Sequence, residues 1–336
     1  MVMVTRLLNL LHQRYGLPCN VVGTGSWTES VYHDNPDVAR VWAFHRHLPF
    51  FLDRPWRAVR RELRASAPGP VYVCERHFKQ LPRIRRLLRL AGVDPRRVVY
   101  LTDPGPTPLI DRLVALGAQT PAALALADYP LVSEAALEGP RIYVLEQERA
   151  EARRWLEARG IGGRELILFQ PGNHRSMGAK RARWRRLNTD DKWWPPERWA
   201  ELLRRVHAAR PAAALLLRGS REEVPLLEEI SALAGVPGLV VAGTTLRELF
   251  ALGALAASMI SVDTGPAHAA AALSVPLVVL YGAEQPRQWL PRSPHGTPVI
   301  AVGGPPVSTR ADAITVDAVF AAWRALGAGA AAAAQR

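Results

Sequence analysis

The stretch SVDTGPAHAAAALSVPLVVLYG (261–282) contains two apolar segments joined by a short polar turn and an Ala-rich segment. The first apolar segment ends at Asp263, and Thr264 and Gly265 form the turn. Apolar runs separated by a helical segment are typical of parallel strands that are buried on both faces of a sheet. We therefore expect Asp263 to lie at the carboxyl end of a parallel strand, with a helix beginning near Pro266.

The same alternation extends outward over the C-terminal half of the chain. Apolar runs predict strands, and segments with apolar residues at helical spacing predict the helices between them. Thr245 and Glu248 form a capping-box pattern at the start of one of these helices. This order of elements predicts an α/β fold with a doubly wound parallel sheet. The predicted strands are 165–173, 212–220, 238–243, 258–262 and 276–282, and the predicted helices are 194–209, 221–235 and 244–257.

The N-terminal half repeats this rhythm less regularly, and a charged amphipathic helix (146–160) leads from one half to the other. We therefore predict an N-terminal domain over 1–150, a C-terminal domain over 151–325 and an Ala-rich tail over 326–336 whose low-complexity end frays. Strands are predicted at 18–25, 39–44, 69–75 and 97–103, and helices at 3–15, 54–66, 80–91 and 108–117.

The composition limits the classes of function. The sequence has no apolar run of the roughly 18 residues that span a membrane and no signal peptide. Cys19 and Cys74 fit no metal-binding spacing, which favours free thiols and a cytoplasmic location. The net charge of +13 favours anionic partners, or reflects the base composition of the gene. A nucleic-acid partner is not expected, because no base-reading helix or RNP-like aromatic pattern is present.

Three segments of the C-terminal half carry candidate binding residues. Asp263 either lines an anion site made by the N–H groups of the next helix or caps that helix, and these residues alone leave both open. Lys192 precedes a helix N-terminus, where a cation opposes the helix dipole unless an anion lies between them. Glu222 and Glu223 directly follow a strand, the usual place for carboxylates that hold ribose hydroxyls.

These segments together resemble glycosyltransferase family 9, the ADP-heptose:lipopolysaccharide heptosyltransferases and their relatives. The resemblance is carried by QPGN (170–173), DDKWWPPERWAELL (190–203), LLLRGSREE (215–223) and SVDTGPAHAAAAL (261–273) in the family's order and spacing. It covers about 20–325. It implies a GT-B fold, in which two Rossmann-like domains face a cleft, with the nucleotide sugar on the C-terminal domain and the acceptor on the N-terminal one.

The resemblance also implies an activity and its partners. The chain would be an inverting glycosyltransferase that moves a heptose-like sugar to a lipopolysaccharide core or other surface glycan. It would use an ADP-heptose-like nucleotide sugar as co-substrate, with no other cofactor and no metal ion. Its acceptor would be an anionic glycolipid or glycan, and it would contact the inner face of the membrane peripherally.

The family's functional residues map onto individual positions of this sequence. Lys192 and Asp263 would be the catalytic residues, with Lys192 neutralising the donor diphosphate. His268 has an alternative as a helix-capping or buried polar residue, and the tryptophans at 193, 194 and 199 are expected to pack. The donor-binding residues implied by the resemblance are Gly172, Asn173, Lys192, Glu222 or Glu223, Asp263, Thr264, Gly265 and His268.

The segment 174–186 is longer than in the better-known heptosyltransferases. It contains a histidine and six cations and no acidic residue. It is either a solvated loop or a contact for donor phosphates, an anionic acceptor or the membrane face.

The N-terminus departs from the family pattern. The chain begins MVMVTRLLNLLHQRYG (1–16), which resembles the first helix of the family, and the preceding strand and Gly-Asp turn, whose aspartate would be the general base, are not found. We expect that strand and turn to be encoded upstream of Met1, so that the chain as given would lack its base. The alternative is a non-catalytic GT-B relic that binds a nucleotide or glycan.

Overall fold

The computed structural model of the chain describes residues 1–25, 27–44, 54–65, 69–75, 80–101, 105–173 and 190–333. The basic segment 174–186 lies outside the described residues. The chain divides into two compact units, Met1–Tyr143 and Val144–Arg336. The boundary predicted from the sequence, between 150 and 151, falls within the helix Glu146–Glu157.

The second unit alternates helices and strands in the order predicted from the sequence. A single turn of 3₁₀ helix, Arg221–Glu223, follows the second of its strands. The elements are α6 (Glu146–Glu157), β5 (Leu166–Gln170), α7 (Pro196–Ala209), β6 (Ala214–Gly219), α8 (Val224–Ala234), β7 (Val240–Gly243), α9 (Leu246–Gly253), β8 (Ser258–Val262), α10 (Gly265–Ala272), β9 (Leu277–Tyr281), α11 (Pro286–Trp289), β10 (Val299–Gly303) and α12 (Val316–Ala333).

The strands of the second unit form one parallel six-stranded sheet in the order β10-β9-β8-β5-β6-β7. The chain starts at β5 in the middle, builds outward to β7, and then crosses to β8 on the other side. This is the doubly wound order of Rossmann-like domains. The predicted fold class is therefore confirmed for this unit.

Helices cover both faces of this sheet, which explains why its central strands are apolar throughout. Side chains of α7, α8 and α12 pack on one face, and those of α6, α9 and α10 on the other. Every residue of β5, β6, β8 and β9 is buried, whereas β7 and β10 at the edges are mostly half-buried. Because helices cover both faces of the sheet, a ligand can reach the backbone of these strands at the strand ends.

The first unit contains two parallel strand pairs, β1 with β2 and β3 with β4, as separate two-stranded sheets among the described residues. The strand and Gly-Asp turn that the family resemblance implies before α1 stay a prediction. The elements are α1 (Val4–Tyr15), β1 (Cys19–Thr24), α2 (Trp27–Tyr32), β2 (Val38–Phe44), α3 (Arg54–Ala65), β3 (Val71–Val73), α4 (Leu81–Ala91), β4 (Val98–Tyr100) and α5 (Leu109–Ala118).

The last helix extends into the segment that the sequence predicts to be an Ala-rich tail, and the expected fraying of its low-complexity end stays a prediction. The last helix, α12, runs to Ala333, and Leu326 is buried. Alanine has the highest helix propensity, so an Ala-rich segment continues a helix that is already anchored in a core. None of the helices in the described parts of the chain is long and apolar enough to cross a membrane.

Candidate functional site

The site predicted from the sequence lies where the strand order of the second unit reverses. Strand β5 is followed along the chain by β6 on one side, whereas β8 pairs with β5 on the other side. In open parallel sheets ligands bind beyond the carboxyl ends of strands at such a switch point. Pro171–Asn173 follow β5 and Asp263–Gly265 follow β8, so both predicted turns lie at this point.

The structure brings Lys192 and Asp263 together. The Nζ atom of Lys192 donates to Oδ2 of Asp263 at 2.7 Å, and the two side chains are 18% and 7% exposed. Two charges with so little exposure to solvent carry a substantial desolvation cost, which their mutual attraction must offset. The predicted cation and the predicted strand-end carboxylate therefore form one unit.

Lys192 is positioned by the aspartate two residues before it. Asp190 is buried, and its carboxylate accepts from the backbone N–H of Lys192 at 3.1 Å and from Nδ2 of Asn173 at 3.0 Å. Asn173 is itself 4% exposed. Asn173 thus connects the turn after β5 to the turn that carries Lys192.

A second anchor fixes the same turn to β9. The Asp191 carboxylate accepts from the N–H of Ala283 at 2.8 Å, and the Asp191 carbonyl accepts from the N–H of Ala311 at 2.7 Å. Gly282 lies directly beneath, since a Cβ placed there would be 2.3 Å from the Asp191 carbonyl oxygen. Only glycine lets the turn approach β9 this closely.

The first turn of α10 lies beside the ion pair. Thr264 occupies the N-cap position with extended backbone (φ −149°) and makes no side-chain capping hydrogen bond, and Pro266 lies in the first turn. The N-cap residue is thus Thr264, and the carboxylate of Asp263, which precedes it, pairs with Lys192. The positive end of the helix dipole and the Lys192 ammonium lie on the same side of the sheet.

His268, in the same helix, is neutral near pH 7. It is half-buried, and removal from water lowers its pKa to about 4, although the nearby Asp263 carboxylate acts in the opposite direction. A neutral imidazole can donate a hydrogen bond to an anion without adding charge. The neutral state of His268 alone does not decide whether it binds the donor or serves as a helix-capping or buried polar residue.

Tyr281, the last residue of β9, is a polar group that the sequence analysis missed. Its side chain is fully buried, and its hydroxyl has no hydrogen-bond partner among the described residues. Burial raises the pKa of Tyr281, and the Asp263 and Glu284 carboxylates act in the same direction. A buried hydroxyl without a partner is uncommon and occurs where a ligand or a water molecule supplies the missing hydrogen bond. The signal in the sequence was a polar tip at the end of an otherwise apolar strand.

Arg218, near the end of β6, is a second missed residue. Arg218 is 3% exposed, and its guanidinium donates to Gln170 Oε1, to Thr244 Oγ1 at 2.8 Å and to the Gly219 carbonyl at 3.0 Å. Burial lowers its pKa to about 10, which leaves it charged at pH 7. Gln170 in turn donates to the Gly172 carbonyl at 3.0 Å. Arg218 therefore supports the turn after β5 from the neighbouring strand.

The two carboxylates after β6 have different environments. Glu223 is 2% exposed and accepts from the N–H of Ser220 at 2.8 Å, which closes the 3₁₀ turn. Glu222 is exposed at the carboxyl edge of the sheet. Of the two residues left open by the sequence, Glu222 therefore has the exposed side chain, and the buried Glu223 carboxylate holds the turn.

The remaining predicted residues are placed as follows. Gly172 is buried in the turn after β5, and Thr264 and Gly265 form the start of α10. Glu222 and Glu223 lie on the far side of β5 from Asp263, since β6 and β8 flank β5.

Trp194 and Trp199 pack edge to face in the core, with their ring centres 4.9 Å apart, as predicted. Within the described ranges, no group of three or more His, Cys, Asp or Glu could hold a metal ion.

A comparison with known families matches the second unit and part of the first. The family model for glycosyltransferase family 9 (heptosyltransferase) matches residues 103–303. No curated protein matches the sequence of the chain.

Solved structures similar to the chain extend over both units. A glycosyl transferase family 9 protein from Veillonella parvula aligns with a TM-score of 0.73 at 16% identity, covering 97% of this chain and 92% of that one. E. coli ADP-heptose lps heptosyltransferase II aligns at 0.68 and 22% identity, covering 97% and 94%. E. coli heptosyltransferase WaaC with ADP aligns at 0.65 and 19% identity, covering 97% and 96%.

At these identities the likeness shows the fold, which is the GT-B fold of the heptosyltransferases. The family match has a wider meaning, because it spans more than half of the 336 residues and includes the turns of Gly172, Lys192, Glu222 and Asp263. The chain therefore belongs to glycosyltransferase family 9 (heptosyltransferase).

Proposed function

We propose that the chain is an inverting glycosyltransferase that moves a heptose-like sugar from an ADP-heptose-like donor to a lipopolysaccharide core or other surface glycan. The observation that carries the proposal is the Lys192–Asp263 ion pair beside the first turn of α10, at the switch point of the sheet. Membership of the family supports the reaction type.

The donor diphosphate binds at the start of α10. Lys192 exchanges its contact with Asp263 for a phosphate oxygen, and the first-turn N–H groups add hydrogen bonds from the positive end of the helix. His268 donates a hydrogen bond as a neutral imidazole. Glu222 binds the ribose hydroxyls from the end of β6. These positive and polar groups need no metal ion to hold a diphosphate.

The chemical step is a displacement at the anomeric carbon. A base removes the proton of an acceptor hydroxyl, the oxygen forms a bond to the anomeric carbon, and the bond to the diphosphate oxygen breaks with inversion. Lys192 and the start of α10 stabilise the negative charge that develops on the leaving diphosphate. The family resemblance implies an aspartate of a Gly-Asp turn as this base, and residues 1–336 contain no Gly-Asp pair.

A second candidate function is binding of a nucleotide or glycan without transfer. It is favoured by the observation that residues 1–336 contain no Gly-Asp pair. In this function Lys192, Asp263 and Glu222 keep their binding roles and no sugar is transferred.

The acceptor and the location follow from the proposed reaction. The acceptor is an anionic glycolipid or glycan on the inner side of the membrane, so the protein is cytoplasmic and contacts the membrane peripherally. The net charge of +13 supports anionic partners of this kind.

A panel of nucleotide sugars tests the proposal. Thermal shift ranks donors and nucleoside diphosphates, because a ligand that binds only the folded state raises the unfolding temperature. The best donor is then incubated with a lipopolysaccharide-core acceptor, and transfer is followed by mass spectrometry. Transfer supports the enzyme and contradicts the second function, and no binding of any nucleotide contradicts both. Donor binding without transfer favours the second function only if a chain to which the family's strand and Gly-Asp turn have been added also fails to transfer.

A further inference from the structure

Helices α3 and α4 in the first unit carry an unusual concentration of charge. Together they contain nine arginines and one glutamate, a net charge of +8 of the +13 of the whole chain. A biased base composition would spread arginines along the sequence. The concentration on two short helices therefore calls for an explanation in the structure.

The arginines of each helix occupy its exposed side. On α3, four exposed arginines recur at intervals of three, four and three residues, which places them on one helical face. On α4, three exposed arginines lie within one turn of one another. The exposed set is Arg54, Arg57, Arg61, Arg64, Arg85, Arg86 and Arg89, called here the arginine face.

The opposite sides of the two helices form a small core. Trp56, Val59 and Leu87 are at most 4% exposed, and Trp42 and Phe44 of β2 pack against them. Arg64 donates from α3 to the carbonyl of Leu90 in α4 at 2.7 Å. The helices are therefore packed side by side with their arginines outward, and the arginine face contributes Arg64 to the contact between the helices but no side chain to the apolar core.

Carboxylates on the two helices do not balance the arginine face. Glu62 is their single acidic residue, and it pairs with Arg40 from β2. Arg85 lies over the ring of Tyr100 with its Cζ 5.2 Å from the ring centre, a contact that leaves its charge in place. A surface with this much positive charge has a strongly positive potential that attracts an extended anionic partner.

We infer that the arginine face docks the first unit onto the anionic phospholipid headgroups of a membrane. The choice of a membrane rests on the proposed function, since the proposed acceptor is a glycolipid. Two helices of about 10 Å diameter packed side by side present a face about 20 Å wide, too wide for the roughly 12 Å major groove of a nucleic acid duplex. Trp56 is the single aromatic residue of the two helices and is buried, so no ring on them is available to stack on bases.

Arginine suits this partner chemically. Its guanidinium stays charged and binds phosphate oxygens through two parallel hydrogen bonds. A basic residue near an anionic bilayer contributes about 1 kcal/mol of binding free energy. Removing three arginines should therefore lower the partition coefficient about 100-fold.

The test uses the full chain and vesicles that contain no glycolipid. Co-sedimentation is measured with phosphatidylcholine vesicles and with vesicles containing about a third phosphatidylglycerol, at about 0.1 M and about 0.5 M salt. We expect binding only to the anionic vesicles and only at low salt. The combined variant Arg54→Gln, Arg57→Gln and Arg61→Gln should bind about 100-fold more weakly.

A matched control removes the same charge elsewhere. Arg154→Gln, Arg204→Gln and Arg324→Gln change three exposed arginines of the second unit and should leave vesicle binding within about threefold of the wild type. Thermal unfolding verifies that both triple variants are folded, and calorimetric binding of ADP, expected to be unchanged in the arginine-face variant, separates this inference from the proposed function.

Three outcomes would overturn the inference. They are equal binding to neutral and anionic vesicles, equal loss in both triple variants, and tighter binding of a short RNA than of anionic vesicles with the RNA affinity lost in the arginine-face variant.

Discussion

Lys192 and Asp263 form a 2.7 Å ion pair across 71 residues of sequence, at the point where the strand order of the second unit reverses. The pair is mostly buried, so each charge depends on the other when no ligand is present. A donor diphosphate would replace the carboxylate as the partner of Lys192. The ion pair thus keeps the ammonium in position and neutralised until the diphosphate binds.

Replacing Lys192 should weaken binding of nucleoside diphosphates. Lys192→Ala removes a charge-assisted contact of about 1.5–3 kcal/mol, which corresponds to a 10- to 100-fold loss of affinity for ADP. It also leaves the Asp263 carboxylate unpaired next to the phosphate site. Calorimetry with ADP measures the effect, and wild-type affinity in the variant would exclude Lys192 from the site.

A double variant separates the loss of the Lys192 ammonium from the repulsion by the unpaired Asp263 carboxylate. In Lys192→Ala with Asp263→Asn, the carboxylate that repels the diphosphate is gone, so the double variant should bind ADP more tightly than Lys192→Ala alone. The same pair of changes should be non-additive in the free energy of unfolding, because the two side chains contact each other. Strict additivity in both measurements would mean that the ion pair is not formed in solution.

Replacing Glu222 should affect the binding of ADP, whereas replacing the adjacent Glu223 should affect the free energy of unfolding. Glu222→Gln should weaken binding of ADP and have little effect on binding of an analogue without ribose hydroxyls, with the free energy of unfolding unchanged because the side chain is exposed. Glu223→Gln should lower the free energy of unfolding by about 1–2 kcal/mol, because the buried carboxylate accepts from the N–H of Ser220. Calorimetry and urea unfolding measure the two effects, and the reverse pattern would assign the ribose contact to Glu223.

The sequence predicted most elements of the second unit because its buried strands are apolar throughout. The capping box at Thr245 and Glu248 marked the start of α9, and both of its hydrogen bonds are present. Strand β10 and helix α12 were not predicted. VIAVG (299–303) is short and half-buried, and α12 is Ala-rich with a weak apolar stripe, so neither has a strong periodic signal. Helix α2, with six residues, is too short to show one.

The site was predicted residue by residue but not as an assembly. Lys192 and Asp263 carry local signals, a cation before a helix and a carboxylate at a strand end, whereas their contact depends on the sheet order. Arg218 was read as part of an apolar strand, because its partners Gln170 and Thr244 lie on or after other strands. Long-range contacts of this kind have no signature in a single sequence.

The neutral state of His268 should appear in the pH dependence of stability. Its pKa is about 4 in the folded chain and about 6.5 when unfolded. Between these values the unfolded state binds more protons, so the free energy of unfolding should fall as the pH is lowered from 6.5 to 4, by up to about 3 kcal/mol. Urea unfolding of the wild type and His268→Asn at several pH values measures this.

The comparison of the wild type with His268→Asn isolates the contribution of the histidine to the free energy of unfolding. Carboxylates titrate in the same range and affect both proteins equally, so the difference between their free energies of unfolding is the informative quantity. It should shift in favour of His268→Asn as the pH falls from 6.5 to 4 and then stay constant. A difference that does not change with pH would mean that His268 is solvated in the folded chain.

Gly282→Ala should disturb the site without touching any ligand group. A Cβ at Gly282 would be 2.3 Å from the Asp191 carbonyl oxygen and 2.5 Å from its Oδ2, so the turn that carries Lys192 must move. We expect the affinity for ADP to fall about tenfold and the free energy of unfolding by about 1–3 kcal/mol, the usual range for overpacking. Gly327→Ala is the control, because Gly327 is exposed in α12 with no atom within 4 Å of the added Cβ.

The effect of Gly282→Ala on binding should act through Lys192. If it does, adding Gly282→Ala to Lys192→Ala lowers the affinity for ADP by much less than tenfold, since the displaced group is already gone. The loss of stability should persist in the double variant, because the steric contact with Asp191 is still present. Gly327→Ala should leave ADP binding unchanged and raise the free energy of unfolding by up to about 1 kcal/mol, since alanine is the better helix former. A full tenfold loss in the double variant would show that Gly282 affects the donor site by a route independent of Lys192.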